Sequence, residues 1–335
     1  MLCTALPHVP TYCRLLIYTD SYRKTVISVL LEEVALTRAL LDDNSTAHIG
    51  NAIVCLSTRL IGSDLTIEQL KTMLPGMFLT TFAFSYTFDI ANQTFSVEED
   101  TINKPNRPIP SGRLSINGAY MRWLLSWAIS LAVIGLTVNL KAASMLLQWE
   151  VWISLFYVWP KFQNWVARNL FTAVGATIQL RLLDAVLIKT IPSFRADSSL
   201  MWLLFTWLVW TIHVQEFHDT EGDERVGRQT LPLIVGRRGQ FPLRLMTAII
   251  IGGTGVSSVV LAQIWRAPNP AMLCLGLAHL LFMVNVAVRL VVLPFKEADK
   301  ITYKYYYILA TYSLLLFRQH TERLGSIGGD AIELG

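Results

Sequence analysis

The stretch Gln215-Glu216-Phe217-His218-Asp219-Thr220-Glu221-Gly222-Asp223-Glu224-Arg225 places five carboxylates within nine residues, directly after the apolar run from Met201 to Val214. Carboxylates this close repel one another unless a cation holds them. At the end of an apolar helix the simplest such cation is a divalent metal at the mouth of an intramembrane cavity. Asp219 and Asp223 are four residues apart, and Glu216 precedes Asp219 by three. On a continuous helix all three share one face. Such a stripe offers oxygen ligands for one or two Mg2+ ions, with Glu99 and Asp100 as the opposing wall and Asn92 as a neutral oxygen donor. Mg2+ rarely takes an all-protein cage and usually bridges a few carboxylates to substrate phosphates. The expected ligand is therefore a phosphorylated molecule. Arg107, Lys161, Arg168, Arg225 and Arg228 are the basic side chains expected to meet its diphosphate, arginine offering bidentate contacts.

Two other metal chemistries fit less well. Asp219, Glu221 and Asp223 look like the first ligands of a calcium EF-hand, but the glycine stands at loop position four instead of six and position twelve is Thr230. His213 and His218 are five residues apart and do not align on a helix as zinc ligands, so His218 reads as a polar neighbour of the site. Aromatic residues are dense from Trp149 to Phe171, and Trp202, Trp207 and Trp210 precede the acidic cluster. They fit an interfacial belt with helix packing or, in part, a cavity whose ring faces stabilise a carbocation. Tyr303, Tyr305, Tyr306 and Tyr307 read as belt residues, with room for one of them to face that cavity.

Helices must carry these groups to one membrane face. Of 335 residues, 53% are hydrophobic and 16% charged, with mean hydropathy +0.44. This is too apolar for an ordinary soluble domain and reads as an all-α polytopic membrane protein. A bilayer core takes roughly 20 apolar residues per helix. About nine transmembrane helices around a central cavity satisfy this, at 17–41, 69–94, 115–138, 142–159, 163–188, 199–218, 240–264, 270–293 and 302–318. No linker divides them. Residues 1–335 are expected to form one domain, its motifs within about 70–320 and tails at 1–16 and 320–335. Basic residues gather after the second, fourth, sixth and eighth segments, among them Lys104, Arg113, Arg237, Lys296, Lys300 and Lys304. The positive-inside rule makes those loops cytosolic. The N-terminus and the acidic cluster are then cytosolic and the C-terminus lumenal, in the endoplasmic reticulum. A cleavable signal peptide is not expected. The four cysteines show no CxxC spacing and read as buried hydrophobes or free thiols. No basic–aromatic interleaving suggests nucleic acid, and no protein partner is legible.

One internal echo sharpens the site. Segment 69–94 runs into Asn92-Gln93-Thr94-Phe95-Ser96-Val97-Glu98-Glu99-Asp100, followed by Asn103-Lys104-Pro105-Asn106-Arg107-Pro108-Ile109-Pro110-Ser111-Gly112-Arg113. Its prolines bar a regular helix. Segment 199–218 runs into the acidic cluster, followed by Gly227-Arg228-Gln229-Thr230-Leu231-Pro232. Both share an order: apolar helix, carboxylates, basic residues, proline-marked turn. Two such ends on one face suggest a site between related halves. These paired runs resemble the UbiA superfamily of intramembrane prenyltransferases and terpene cyclases, over about 70–320. The resemblance implies that the carboxylates bind Mg2+ and the diphosphate of an isoprenyl substrate. Asp219 and Asp223 match the second motif. The usual first motif is NDxxDxxxD; here Asn92 and Asp100 remain, Gln93 and Ser96 replace the middle aspartates, and Glu99 is a candidate substitute. This variant is similar to fungal-type members, including membrane-bound sesquiterpene cyclases.

The resemblance implies catalytic roles for Asp219, Asp223, Asp100 and Glu99, metal ligation by these four with Glu216, and substrate binding by Asn92 and the five basic residues named above. Mg2+ and basic side chains would neutralise the departing diphosphate, leaving an allylic carbocation in a water-poor cavity. Attack by the chain's own double bond makes a cyclase; attack by an acceptor makes a prenyltransferase. The altered first motif and the aromatic-rich segments favour a cyclase, and the resemblance implies farnesyl diphosphate as its substrate, in secondary metabolism. A transporter fits poorly, because transporter ion sites lie near the midplane in broken helices. An inactive family member is the remaining alternative, motivated by Gln93, Ser96 and the charges in the first segment.

Overall fold

Helices begin where a side chain is available to satisfy the free backbone donors of the first turn. In the structure, a computed structural model, Thr66 and Gln69 form a reciprocal capping box. Ser115, Asn139 and Asn164 accept from the backbone N–H groups of Gly118, Ala142 and Ala167 at 3.1, 2.7 and 2.9 Å. The structure describes residues 11–60, 66–162, 164–191, 194, 196, 198–264 and 270–332, with backbone alone at 11–25, 59–60 and 322–332. Among them the regular elements are helical, apart from one isolated bridge between Asn164 and Gln229. The helices are α1 (Thr11–Leu41), α2 (Ser45–Leu60), α3 (Ile67–Phe95), α4 (Val97–Asn103), α5 (Ile116–Thr137), α6 (Leu140–Tyr157) and α7 (Trp165–Thr190). They continue as α8 (Ser198–Thr211), α9 (Thr220–Arg225), α10 (Leu231–Leu261), α11 (Pro270–Val292), α12 (Lys296–Ile301) and α13 (Ile308–Ile332). The segment holding Pro105, Pro108 and Pro110 stays non-helical, as expected.

Among the described residues four helices are long and apolar enough to cross a membrane: α5, α7, α10 and α11. The apolar window of α7 is 67% buried, against 22% for α5, so α7 is central. It packs against α2, α3, α6 and α8. Leu136, Leu140 and Leu261 are at least 80% exposed. An apolar surface of this kind is a liability in water and the natural exterior in lipid. α10 is interrupted at Gly236, whose φ of 62° and ψ of −177° suit only glycine. Residues 231–235 thus form a short helical entry, and the long apolar part begins near the predicted residue 240.

The first bundle helix differs from expectation. The hydropathy reading places it at 17–41 and leaves 42–68 as a loop. Residues 45–60 instead form α2, which packs into the bundle against α3, α7 and α13. Val54, Cys55 and Thr58 are buried. Asn51 Nδ2 donates to Gln179 Oε1 at 2.8 Å, and the Tyr312 hydroxyl donates to Ala47 O at 2.7 Å. Gly50 lies so close to the Tyr312 ring that a Cβ would collide with it. Polar residues dilute the hydropathy of α2, yet their partners on α7 and α13 let them be buried. α1 packs mainly on α3, buries Leu40, and leaves Leu30, Leu31 and Val34 about 60% exposed or more. Its Glu33 accepts from Arg122 at 2.7 Å. Cys274 is exposed; Cys3 and the Cys13 side chain lie outside the described residues.

Candidate active site

Ser96 separates α3 from α4 and turns the next carboxylates in two directions. Asp100 is fully buried, and both its oxygens accept from Arg107 Nη1, at 2.7 and 2.8 Å. Arg107 Nε donates to Asp43 Oδ2 at 2.7 Å, in the turn between α1 and α2. Glu99 instead lines a cavity and accepts from Arg228 Nη1. Asn92, further back on α3, lines the same cavity.

The second wall breaks the continuous helix that the spacing suggests. After α8 the chain tightens into a 3-10 turn over Ile212–Phe217, and Asp219 stands at the start of α9. Glu216 is therefore off the common stripe. It accepts from Arg168 Nε at 2.8 Å and from the Leu231 N–H, at the start of α10, at 3.3 Å. Asp219 and Asp223 keep their one-turn spacing, since the Asp223 N–H donates to Asp219 O at 3.1 Å. Asp219 accepts from Lys104 Nζ at 3.2 Å. Asp223 is fully buried and accepts from Arg228 Nη1 at 2.8 Å, while its Oδ2 has no hydrogen-bond partner among the described residues.

Asn103 stitches the walls together. Its Nδ2 donates to Asp219 O at 3.1 Å and to Glu99 Oε1 at 3.4 Å, and its Oδ1 accepts from the Gly222 N–H at 3.3 Å. A Cβ at position 222 would run into that amide, so glycine is needed there for close approach.

The protein's own cations thus perform the neutralisation first assigned to a metal alone. Burial would raise the Asp219 carboxyl, but Lys104 and His218 beside it bring it down to about 2. Burial also works against ionised Glu99, yet Arg228 and Lys104 hold it below its usual range. For Asp223 burial prevails and raises the carboxyl despite Arg168 and Arg228. Arg107 is held charged by Asp100 and Asp43 against the cost of burial. Among the described residues no three acidic, cysteine or histidine side chains converge into an all-protein metal cage. The donor set suits an ion that takes a few carboxylates and completes its shell with water or phosphate. Glu99 and Asp223 lie close enough to share one guanidinium nitrogen, Asp223 Oδ2 is buried and unpaired, and Asp219 is one helical turn away. These residues fit Mg2+.

The cavity encloses about 130 Å³, close to the roughly 150 Å³ of an engineered cavity that admits benzene. Its apolar wall is Phe88, Phe156, Tyr157 and Phe171 from α3, α6 and α7. The Phe171 ring lies 4.4 Å from Phe156, 5.6 Å from Phe88 and 5.5 Å from Tyr157, centre to centre. Trp149 backs them, stacked on Phe84 at 4.5 Å. Of the four clustered tyrosines Tyr303 lines the cavity, stacked at 5.8 Å on His218, itself a lining residue. Trp207 is buried and donates to Thr311 at 2.9 Å, whereas Trp202 and Trp210 point outward. Those two do not line the cavity.

Glu99, Asp219, Asn92, Arg107, Arg168 and Arg228 all line the cavity, and Asp223 sits against Arg228. Asp100 and Glu216 stand outside the lining in ion pairs. Lys161 and Arg225 are exposed and outside it. Asp43, Asn44, Lys300 and Lys304 also line the cavity, and no role was expected of them or of Asn103. The signal for Asp43 was an acidic run, Asp42-Asp43-Asn44, at the end of an apolar segment. It shares with the two motifs the acidic end of an apolar segment, though no basic residues or proline turn follow it.

The profile of the UbiA prenyltransferase family matches residues 60–314. The chain belongs to this family. Polyprenyl transferase eriF from Hericium erinaceus is 36% identical over 180 residues, covering 52% of this chain and 60% of eriF. Diterpene cyclase eriG from the same organism is 29% identical over 192 residues, covering 55% and 61%. The chain thus matches about three fifths of the length of these relatives. A UbiA homologue from Archaeoglobus fulgidus bound to GPP and Mg2+ has the same fold, with TM-score 0.52, 16% identity, and coverage of 82% of this chain and 99% of that one. With its apolar helices, this UbiA chain is an integral membrane protein. Its departures from the usual first motif have structural partners. Gln93 is buried and donates to Leu40 O at 2.8 Å, fixing the end of α1. The Ser96 hydroxyl accepts from Arg228 Nη2 at 3.2 Å. Glu99, outside the usual pattern, is the carboxylate of this motif that lines the cavity.

Proposed function

We propose that this UbiA protein ionises an isoprenyl diphosphate with the help of Mg2+ and closes the resulting cation on itself, as a terpene cyclase. Farnesyl diphosphate is the substrate we favour and a sesquiterpene the product. The observation that carries this reading is the contact between two unlike surfaces in one cavity: a rim of carboxylates and guanidinium groups, and a wall of Phe88, Phe156, Tyr157 and Phe171. Bound at Glu99, Asp219 and Asp223, Mg2+ would supply Lewis-acid stabilisation of the leaving group. Arg107, Arg168 and Arg228 face the same space and hold the diphosphate as negative charge develops on it. The aromatic faces attract the cation left behind and exclude the water that would quench it.

A second reading, transfer of the isoprenyl group to an acceptor, is favoured by the 36% identity to a polyprenyl transferase. Incubating membranes with farnesyl diphosphate and Mg2+ separates the two. Hydrocarbon formed without an added acceptor supports cyclisation. Product appearing only when an acceptor is supplied would sink it. The orientation we favour keeps nine spans, with α2 in place of residues 17–41. It puts the cavity mouth on the cytosolic face of the endoplasmic reticulum, supported by the basic residues Lys104, Arg225, Lys300 and Lys304 around it.

A further inference from the structure

Arg228 differs from the other site cations in that one of its nitrogens serves carboxylates of both walls. Nη1 donates to Glu99 and, at 2.8 Å, to Asp223. Nη2 reaches only the Ser96 hydroxyl among the described residues, at 3.2 Å. Lys104, by contrast, pairs with Asp219, and Arg168 with Glu216. Arg228 also lines the cavity, as Glu99 does, so its guanidinium borders the space assigned to the diphosphate.

A divalent ion that takes Glu99 and Asp223 at about 2.1 Å draws on the same two carboxylate charges that hold Arg228, even where it binds through Asp223 Oδ2. Two carboxylates then face three positive charges, and Arg228 is left undercompensated. The Arg228 side chain is only 10% exposed, and a guanidinium displaced there is left as an uncompensated buried charge unless an anion takes it up. A diphosphate entering the cavity is an anion able to replace both carboxylates.

We infer that Arg228 is a two-position latch: it rests on Glu99 and Asp223, and when a divalent cation takes those carboxylates it transfers to the diphosphate. This rests on the metal–diphosphate reading given above. The latch makes cation and diphosphate help each other bind, because each removes a cost the other would otherwise bear. It also discourages either from settling alone.

The decisive variant is Arg228→Lys. It keeps the charge, but its single ammonium has no second nitrogen to anchor on Ser96 as Nη2 does, so it holds the two carboxylates less firmly. Mn2+ binding to the detergent-solubilised full chain, read by electron paramagnetic resonance with and without inorganic pyrophosphate, reports the latch without any turnover. Arg228→Lys should bind Mn2+ alone several-fold more tightly than the wild type and gain less from pyrophosphate. Arg228→Ala should shift the same way and serves if the lysine variant is not monodisperse. Arg225→Ala, at an exposed residue outside the cavity, should match the wild type. Wild-type Mn2+ binding with equal or weaker binding by the Arg228 variants overturns the latch and leaves the metal reading standing. Absence of Mn2+ binding in all of them overturns both.

Discussion

At the scale of single residues the site is a set of buried charges, each tied to a named partner. Removing one member of a buried pair leaves the other uncompensated, which is costlier than losing the pair. Arg107→Ala should therefore destabilise the protein by about 3–5 kcal/mol, because Asp100 is fully buried against it. Thermal unfolding in detergent measures this, and adding Asp100→Asn should recover part of the loss. Asp219→Ala and Asp223→Ala test the reaction instead. Each should lower product yield by about a hundredfold or more, the scale seen when one electrostatic stabiliser is removed from an active site. Lys161→Ala should stay close to wild type, since Lys161 is exposed and outside the cavity. Unchanged yield in both aspartate variants would remove the carboxylates from the chemistry.

At the scale of elements, what was legible in the chain depended on where the deciding partner lies. The two motifs were legible because their charges stand out against apolar helices. Asp219 and Asp223 keep their predicted spacing because one α-helical turn is a local property. Glu216 does not follow the pattern, because its partners are on α7 and α10, far away in sequence. The priority of Glu99 over Asp100 was equally hidden, since it depends on which of Arg107 and Arg228 reaches which acid. α2 is hidden in the sequence for the same reason: His48 and Asn51 look like loop residues until Gln179 is placed beside them. The packing of α2 gives its own test. Gly50→Val should drive α2 away from Tyr312 and lower the unfolding temperature by several degrees, as a loss of about 1–3 kcal/mol from overpacking implies. Val29→Ala on the outward side of α1 should change it little.

At the scale of the whole molecule the helices act as one wrapper, lipid-facing outside and holding charges at one end. If that end is cytosolic, a cysteine placed at exposed Arg225, in a background without the native cysteines, should react with an impermeant maleimide in intact microsomes. Labelling only after permeabilisation would reverse the assignment. The ion pairs have a consequence for encounter with substrate. Each acid that the two motifs bring to the site already has a cation of the protein against it. A charge-matched pocket projects little field beyond a Debye length of about 10 Å, so it cannot gather diphosphates from a distance as an unbalanced basic cleft does. Capture then falls to the greasy end of the substrate, which dissolves in the bilayer and diffuses in two dimensions. The second-order rate constant should accordingly respond weakly to ionic strength and strongly to how much isoprenoid the membrane holds.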